Sequence, residues 1–238
     1  MDSTELYNTI IDFNPAELPN SSFNIFLGKR RSGKSVLAEY LLKKMIENKM
    51  VNLCYLFSPT NAGFEMIDND SRFTDIESLH TIVENYKAMN SYNKVAKEKD
   101  KFKIKTLIII DDAAPQLKSK EFNILETLSV NGRHNSYSPL SLHFFILCQS
   151  LTKIPRVVRI NSDCIFLNAI ASKIELEMVL MENFYILDSS RRACGEARDL
   201  YHKLVATEDF QFIVIENHKQ NVKQMCDYIK KFRAVLDK

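Results

Sequence analysis

No stretch of this 238-residue sequence approaches the roughly 18–20 consecutive apolar residues that cross a bilayer, so nothing in it reads as a membrane helix. Cysteine is sparse: Cys54, Cys148, Cys164, Cys194 and Cys226 are odd in number and scattered, without a C-x-x-C pair. That argues against a disulfide framework and against zinc, and sets the expectation of a reducing, cytosol-like compartment. Cys54, Cys148 and Cys164 fall in strand-like segments, where a reduced cysteine packs as a small hydrophobe. Neither sign of charge dominates; the formal net charge is +2, so no global field announces a nucleic-acid partner. The opening residues, Met1-Asp2-Ser3-Thr4-Glu5, are acidic and polar rather than signal-like, and the expectation is a chain that is not secreted. Internal repeats and low-complexity linkers are missing as well. What is present is globular, 45% hydrophobic and 26% charged, and suits one sizeable α/β domain better than two.

Residues 1–22 read as a polar arm or loosely packed lead-in, with Pro15 and Pro19 as breakers, and residues 23–238 as a single domain. Strand-like runs fall at 23–27, 51–57, 106–110, 140–148, 163–168 and 210–215. Helical spacing covers 36–46, 75–99, 118–130, 172–185 and 196–206, and a lysine-rich terminal helix is expected after residue 215. Strands alternating with helices, several of them apolar throughout, predict an α/β fold with a mainly parallel central sheet flanked by helices on both faces. Residues 171–238 read as a helical and strand extension of that domain.

The most specific signal is Gly28-Lys29-Arg30-Arg31-Ser32-Gly33-Lys34-Ser35, which matches the P-loop pattern G-x-x-x-x-G-K-[ST] at every fixed position. It follows a strand-like run and opens a helical one that begins at Val36, the context this motif requires. Gly28 and Gly33 let the chain bend so that successive N–H groups face inward as an anion nest at a helix N-terminus. Lys34 can then reach the β- and γ-phosphates of a nucleoside triphosphate, and the Ser35 hydroxyl can ligate Mg²⁺. A glycine turn beside a chance lysine is the bland alternative, and the strand–loop–helix context disfavours it.

Ile108-Ile109-Ile110-Asp111-Asp112 is a buried-strand pattern ending in two acids. Asp111 is placed to hold the metal, and Asp112 to accept a proton from an attacking water; a turn or helix-cap role is the weaker reading. Gln149 follows the next apolar run and can meet a γ-phosphate or its water; taken alone it fits a loop cap equally well. Arg133, in Asn131-Gly132-Arg133-His134, can act as a finger into a neighbouring subunit or be an ordinary surface arginine. The guanine-reading pattern N-K-x-D is absent; Asn217-His218-Lys219-Gln220 lacks the acid. Two basic clusters, the six lysines between Lys94 and Lys105 and the group Lys153, Arg156 and Arg159, read as solvated faces or as a DNA-tracking surface.

The order P-loop, strand-Asp-Asp, Gly-Arg-His, strand-Gln, then Ile154-Pro155-x-x-x-Arg159, resembles the FtsK–HerA superfamily, and within it the poxvirus-type genome-packaging ATPases of large DNA viruses and virophages. The resemblance covers about residues 23–170. It implies a RecA/ASCE-like P-loop NTPase that hydrolyses ATP with Mg²⁺ to translocate double-stranded DNA into a capsid. It implies that Gly28 through Val36 bind the nucleotide, Ser35 and Asp111 the metal, and that Lys34, Asp112, Gln149 and Arg133 are catalytic, the last in trans. The partners it implies are a homo-oligomeric ring, pentamer or hexamer, with capsid or portal-vertex proteins. Host-cell cytoplasm at the assembly site is the implied location, with virion association a further option. Many superfamily members carry Asp-Glu where this chain has Asp111-Asp112. A nucleotide or small-molecule kinase is the runner-up, and an ATP-dependent DNA-binding assembly protein the third class.

Overall fold

Apolar runs make the strands, and the strands make one eight-stranded sheet. The computed structural model describes residues 8–112, 122–132, 140–183, 191–207, 210–220 and 222–234. The strands are β1 (Ser22–Leu27), β2 (Leu53–Phe57), β3 (Arg72–Phe73), β4 (Lys105–Asp111), β5 (Ser141–Cys148), β6 (Cys164–Leu167), β7 (Phe212–Glu216) and β8 (Ile229–Phe232). Their order across the sheet is β3-β2-β4-β5-β1-β6-β7-β8. Pairing is parallel from β3 through β6 and antiparallel for β6–β7 and β7–β8, so the sheet is mostly parallel, as the continuous apolar runs predict.

Strand alternation divides the core in two. Phe23, Ile25 and Leu27 of β1 face one way with Ile108, Ile110, Phe144 and Ile146, while Phe26 faces the other with Leu107, Ile109, Phe145 and Phe166. Helix α1 (Lys34–Glu47) covers the second face with Leu37, Ala38, Leu41, Leu42 and Met45 at helical spacing. The first face takes residues of α2 (Ser78–Val95), α3 (Phe122–Asn131), α4 (Arg156–Ile160), α5 (Lys173–Asn183) and α6 (Arg191–Thr207). Each fully buried Phe, Ile or Leu contributes about 1.5–3 kcal/mol, so Ile25, Phe26 and Leu27 anchor β1 firmly beneath the loop that follows it.

The terminal segment differs from expectation. After β7 the chain forms a four-residue helix, α7 (Met225–Tyr228), and then β8 rather than a lysine-rich helix. β8 pairs with the edge that β7 would otherwise leave open, and Phe232 packs edge-on to Phe13 at 5.3 Å. Ladder pairing and burial outweigh the helix preference of Lys230 and Lys231. The lead-in, described from Asn8, is packed: Ile10, Phe13 and Leu18 are buried, and Phe13 N–H donates to the Lys231 carbonyl at 2.7 Å.

At the end of the sheet away from the β1 loop, His143 is buried with Nδ1 2.9 Å from the Ser22 hydroxyl, which in turn accepts from Asn24 at 2.8 Å. Burial pushes the imidazole down to about 4, and Lys105 pushes the same way. The folded protein therefore resists a proton that the unfolded chain accepts below about 6.5, and this group's stability contribution is lost as pH falls from there towards 4. We expect His143→Gln, in urea unfolding at pH 7 and pH 4.5, to flatten that loss by up to about 3 kcal/mol. An unchanged slope would mean that His143 is protonated in the fold.

Candidate functional site: a phosphate cradle beside paired carboxylates

The loop after β1 is pinned by its neighbours before any ligand arrives. Gly28 N–H donates to the Cys148 carbonyl at the end of β5 (3.3 Å), and Lys29 N–H to Ala169 just beyond β6 (2.8 Å). Gly33 has φ +83°, and a Cβ there would lie 2.8 Å from a Phe210 ring carbon, so both backbone and space demand glycine. At Gly28 only space is tight: a Cβ would lie 2.6 Å from Ser32 Oγ and 3.3 Å from Asn168 Cβ. α1 starts at Lys34 with no capping side chain and no acid in its first turn. Its first N–H groups and positive dipole end are thus directed at the loop. Lys29, Arg30 and Arg31 are exposed on the rim.

Lys34 is buried under this loop. Its Nζ donates to the carbonyls of Gly28 (2.9 Å) and Lys29 (3.1 Å). Burial lowers its pKa, and the charge of Asp112 opposes that shift. Ser35 Oγ donates to Asp111 Oδ2 at 3.5 Å. Asp111 ends β4, and its carboxyl is pushed up to about 6, chiefly by burial and then by the like charge of Asp112, with Lys34 opposing. A hydroxyl and a carboxylate facing each other are hard oxygen donors, the set that suits Mg²⁺. Asp112 sits at φ +49°, a left-handed backbone that aspartate tolerates better than most residues. Gln149, one residue past β5, donates its Nε2 to both Asp112 oxygens, at 3.1 and 3.0 Å.

These groups line one cleft of about 370 Å³, formed by residues 30–36, Asp111, Asp112, Gln149 and Phe210. Of the site residues expected from sequence, Arg30 through Val36, Asp111, Asp112 and Gln149 line the cleft, Gly28 and Lys29 lie beneath it as carbonyl partners of Lys34, and Arg133 lies outside the described residues. Phe210 was expected only as the start of a strand; nothing in the run Phe210-Gln211-Phe212-Ile213-Val214-Ile215 distinguishes the residue that turns out of the sheet at φ +61°. Asn168 was also missed, although a polar residue closing an apolar strand is a signal. Its Nδ2 donates to the Gln211 carbonyl at 2.6 Å.

The basic clusters lie elsewhere. Lys105 opens β4 and Asp111 closes it, about 20 Å apart along the strand, so the 94–105 lysines sit at the far end from the cleft. Lys101 and Lys103 pair with Glu98. Arg159 is structural: its guanidinium bridges both oxygens of Glu182 at 3.1 and 2.7 Å and donates to the Ile154 carbonyl, tying α4 to α5. Lys153 and Arg156 are exposed. Among the described residues, no helix is long and apolar enough to cross a membrane.

A loop of this geometry between β1 and α1, facing an acid at the end of a parallel strand one place removed, defines a P-loop NTPase. Within that class the chain belongs to a known family: the model for the Poxvirus A32 protein matches residues 10–227. The family named by the sequence resemblance is therefore the right one. Among solved structures, the chain is similar to the genome packaging NTPase B204 from Sulfolobus turreted icosahedral virus 2 in complex with sulfate, at 16% identity and TM-score 0.58, covering 93% of this chain and 100% of that one. The AMPPCP complex of B204 gives 14% identity, TM-score 0.56 and coverages of 92% and 100%. The pCW3 conjugation coupling protein TcpA, with ATPgS, gives 14% identity and TM-score 0.54 over 90% of this chain and 60% of that one. No curated protein matches the chain in sequence.

Proposed function

We propose that this protein is an ATP-hydrolysing motor that translocates double-stranded DNA and packages a viral genome. The observation that carries the hydrolytic reading is the pair Asp111-Asp112 in one cleft with Lys34, Ser35 and Gln149. Loop N–H groups and the Lys34 ammonium bind the β- and γ-phosphates. Ser35 and Asp111 would hold Mg²⁺, which neutralises charge on the phosphates when bound. Asp112 accepts the proton of the attacking water, and Gln149 exchanges its contact with Asp112 for one with the γ-phosphate or the water. Arg133 is assigned from sequence as the finger offered to a neighbouring subunit, which makes the working form a pentameric or hexameric ring.

Membership of the A32 family supports this reading, as does a fold shared with proteins described as a genome packaging NTPase and a conjugation coupling protein. Capsid or portal-vertex proteins are the partners it calls for, at an assembly site in the host cytoplasm. Contacts to DNA should go to phosphates, since a pump steps along any sequence, and the exposed Lys153 and Arg156 are candidates. We expect random-sequence duplex DNA to raise the steady-state ATPase rate several-fold, with the effect fading as salt rises. A rate indifferent to DNA at low salt counts heavily against the motor.

A further inference from the structure

The sheet order sets the direction in which a nucleotide must lie. Across the cleft end of the sheet run β4 with Asp111, β5 with Gln149 just beyond it, β1 with the loop, then β6, then β7. A triphosphate with its γ-phosphate among the acids and its β-phosphate over the loop carries its nucleoside towards β6 and β7. There the polar cleft changes character. Phe210, which precedes β7, is 57% exposed, and Val36 in the first turn of α1 is 42% exposed; both line the cleft.

The Phe210 backbone is held in place. It adopts φ +61°, a conformation bulky residues avoid unless their surroundings impose it. The next residue supplies that constraint: the Gln211 carbonyl accepts from Asn168 at 2.6 Å, and the Gln211 amide donates to Leu204 at 3.1 Å. The ring edge rests where a Gly33 side chain would be, beside the phosphate cradle. An exposed aromatic ring beside a phosphate site can offer a face to a second planar group.

The geometry points to Phe210 as the stacking platform for the base of the bound nucleotide, with Val36 as the apolar floor beside it. The inference rests on the cleft being a nucleoside triphosphate site, and adds the residue that grips the nucleoside. Stacking needs only a π-face, so the ring contributes affinity for the nucleoside part and none for the phosphates.

The test compares ATP with inorganic tripolyphosphate, measured by calorimetry on the full chain with Mg²⁺. Phe210→Ala should weaken ATP binding about five- to hundred-fold and leave tripolyphosphate binding unchanged. Because the sequence has no tryptophan, Phe210→Trp places a single indole reporter at this position. It should retain ATP affinity, and its fluorescence should change with ATP and not with tripolyphosphate. Equal losses for both ligands in Phe210→Ala would show that the ring only packs against Gly33, and no loss for either would remove it from the site; each result overturns the proposal. If the unaltered protein binds neither ligand, the triphosphate reading itself fails and takes this inference with it.

Discussion

Lys34→Ala is expected to lower ATP hydrolysis by at least about 10²-fold while the protein stays folded. Lys34 is the one cation that the described fold buries beneath the loop, its ammonium held by the Gly28 and Lys29 carbonyls. Those two bonds use two of its three N–H donors and leave the third for a phosphate. The fold should survive because burial already disfavours this ammonium, as its lowered pKa records, and alanine removes that desolvation cost. Lys34→Arg should fail as well, since a planar guanidinium cannot sit on two carbonyls as a compact point charge does. Phosphate release measured beside thermal melts separates lost chemistry from lost folding. A Lys34→Ala protein retaining more than about a tenth of the rate would show that the loop N–H groups suffice.

Much of this site was legible because its parts are local in sequence. The P-loop is a contiguous octapeptide, and the Asp111-Asp112 pair announces itself by following Ile108, Ile109 and Ile110. The parallel sheet followed from runs apolar on both faces. What stayed hidden depends on partners far along the chain. Gln149 is a candidate from sequence, but its contact with Asp112 was hidden, because it exists only through β5 lying beside β4. Arg159 looked like one more basic residue until α5 brought Glu182 to it. β8 was hidden for the same reason: Ile229–Phe232 carries weak local preference, and the open edge of β7 with the Phe13 ring decides its conformation. Phe210 is the extreme case, since only the fixed positions of Asn168 and Gly33 make its left-handed backbone meaningful.

The Asp112→Asn protein should bind ATP as well as the unaltered one, or more tightly, and hydrolyse it about 10²–10⁴-fold more slowly. Asparagine tolerates the left-handed backbone at this position and keeps an oxygen to accept from Gln149, so the local structure has no reason to change. What disappears is the negative charge. Its loss relieves repulsion with the triphosphate and with Asp111, and removes the group able to take a proton from water. Binding and chemistry thus move in opposite directions, which a merely structural aspartate would not produce. The same backbone suits a short acid at this position better than a longer one. A left-handed residue is less costly with a short side chain that bonds locally, and Gln149 reaches across to complete the contact. Asp112→Glu is accordingly expected to hydrolyse ATP more slowly than the unaltered protein yet faster than Asp112→Asn, because the carboxylate survives while the strain grows. Should Asp112→Asn hydrolyse at an undiminished rate, proton acceptance would pass to Asp111, and single-turnover assays of Asp111→Asn with saturating Mg²⁺ would then show the larger loss.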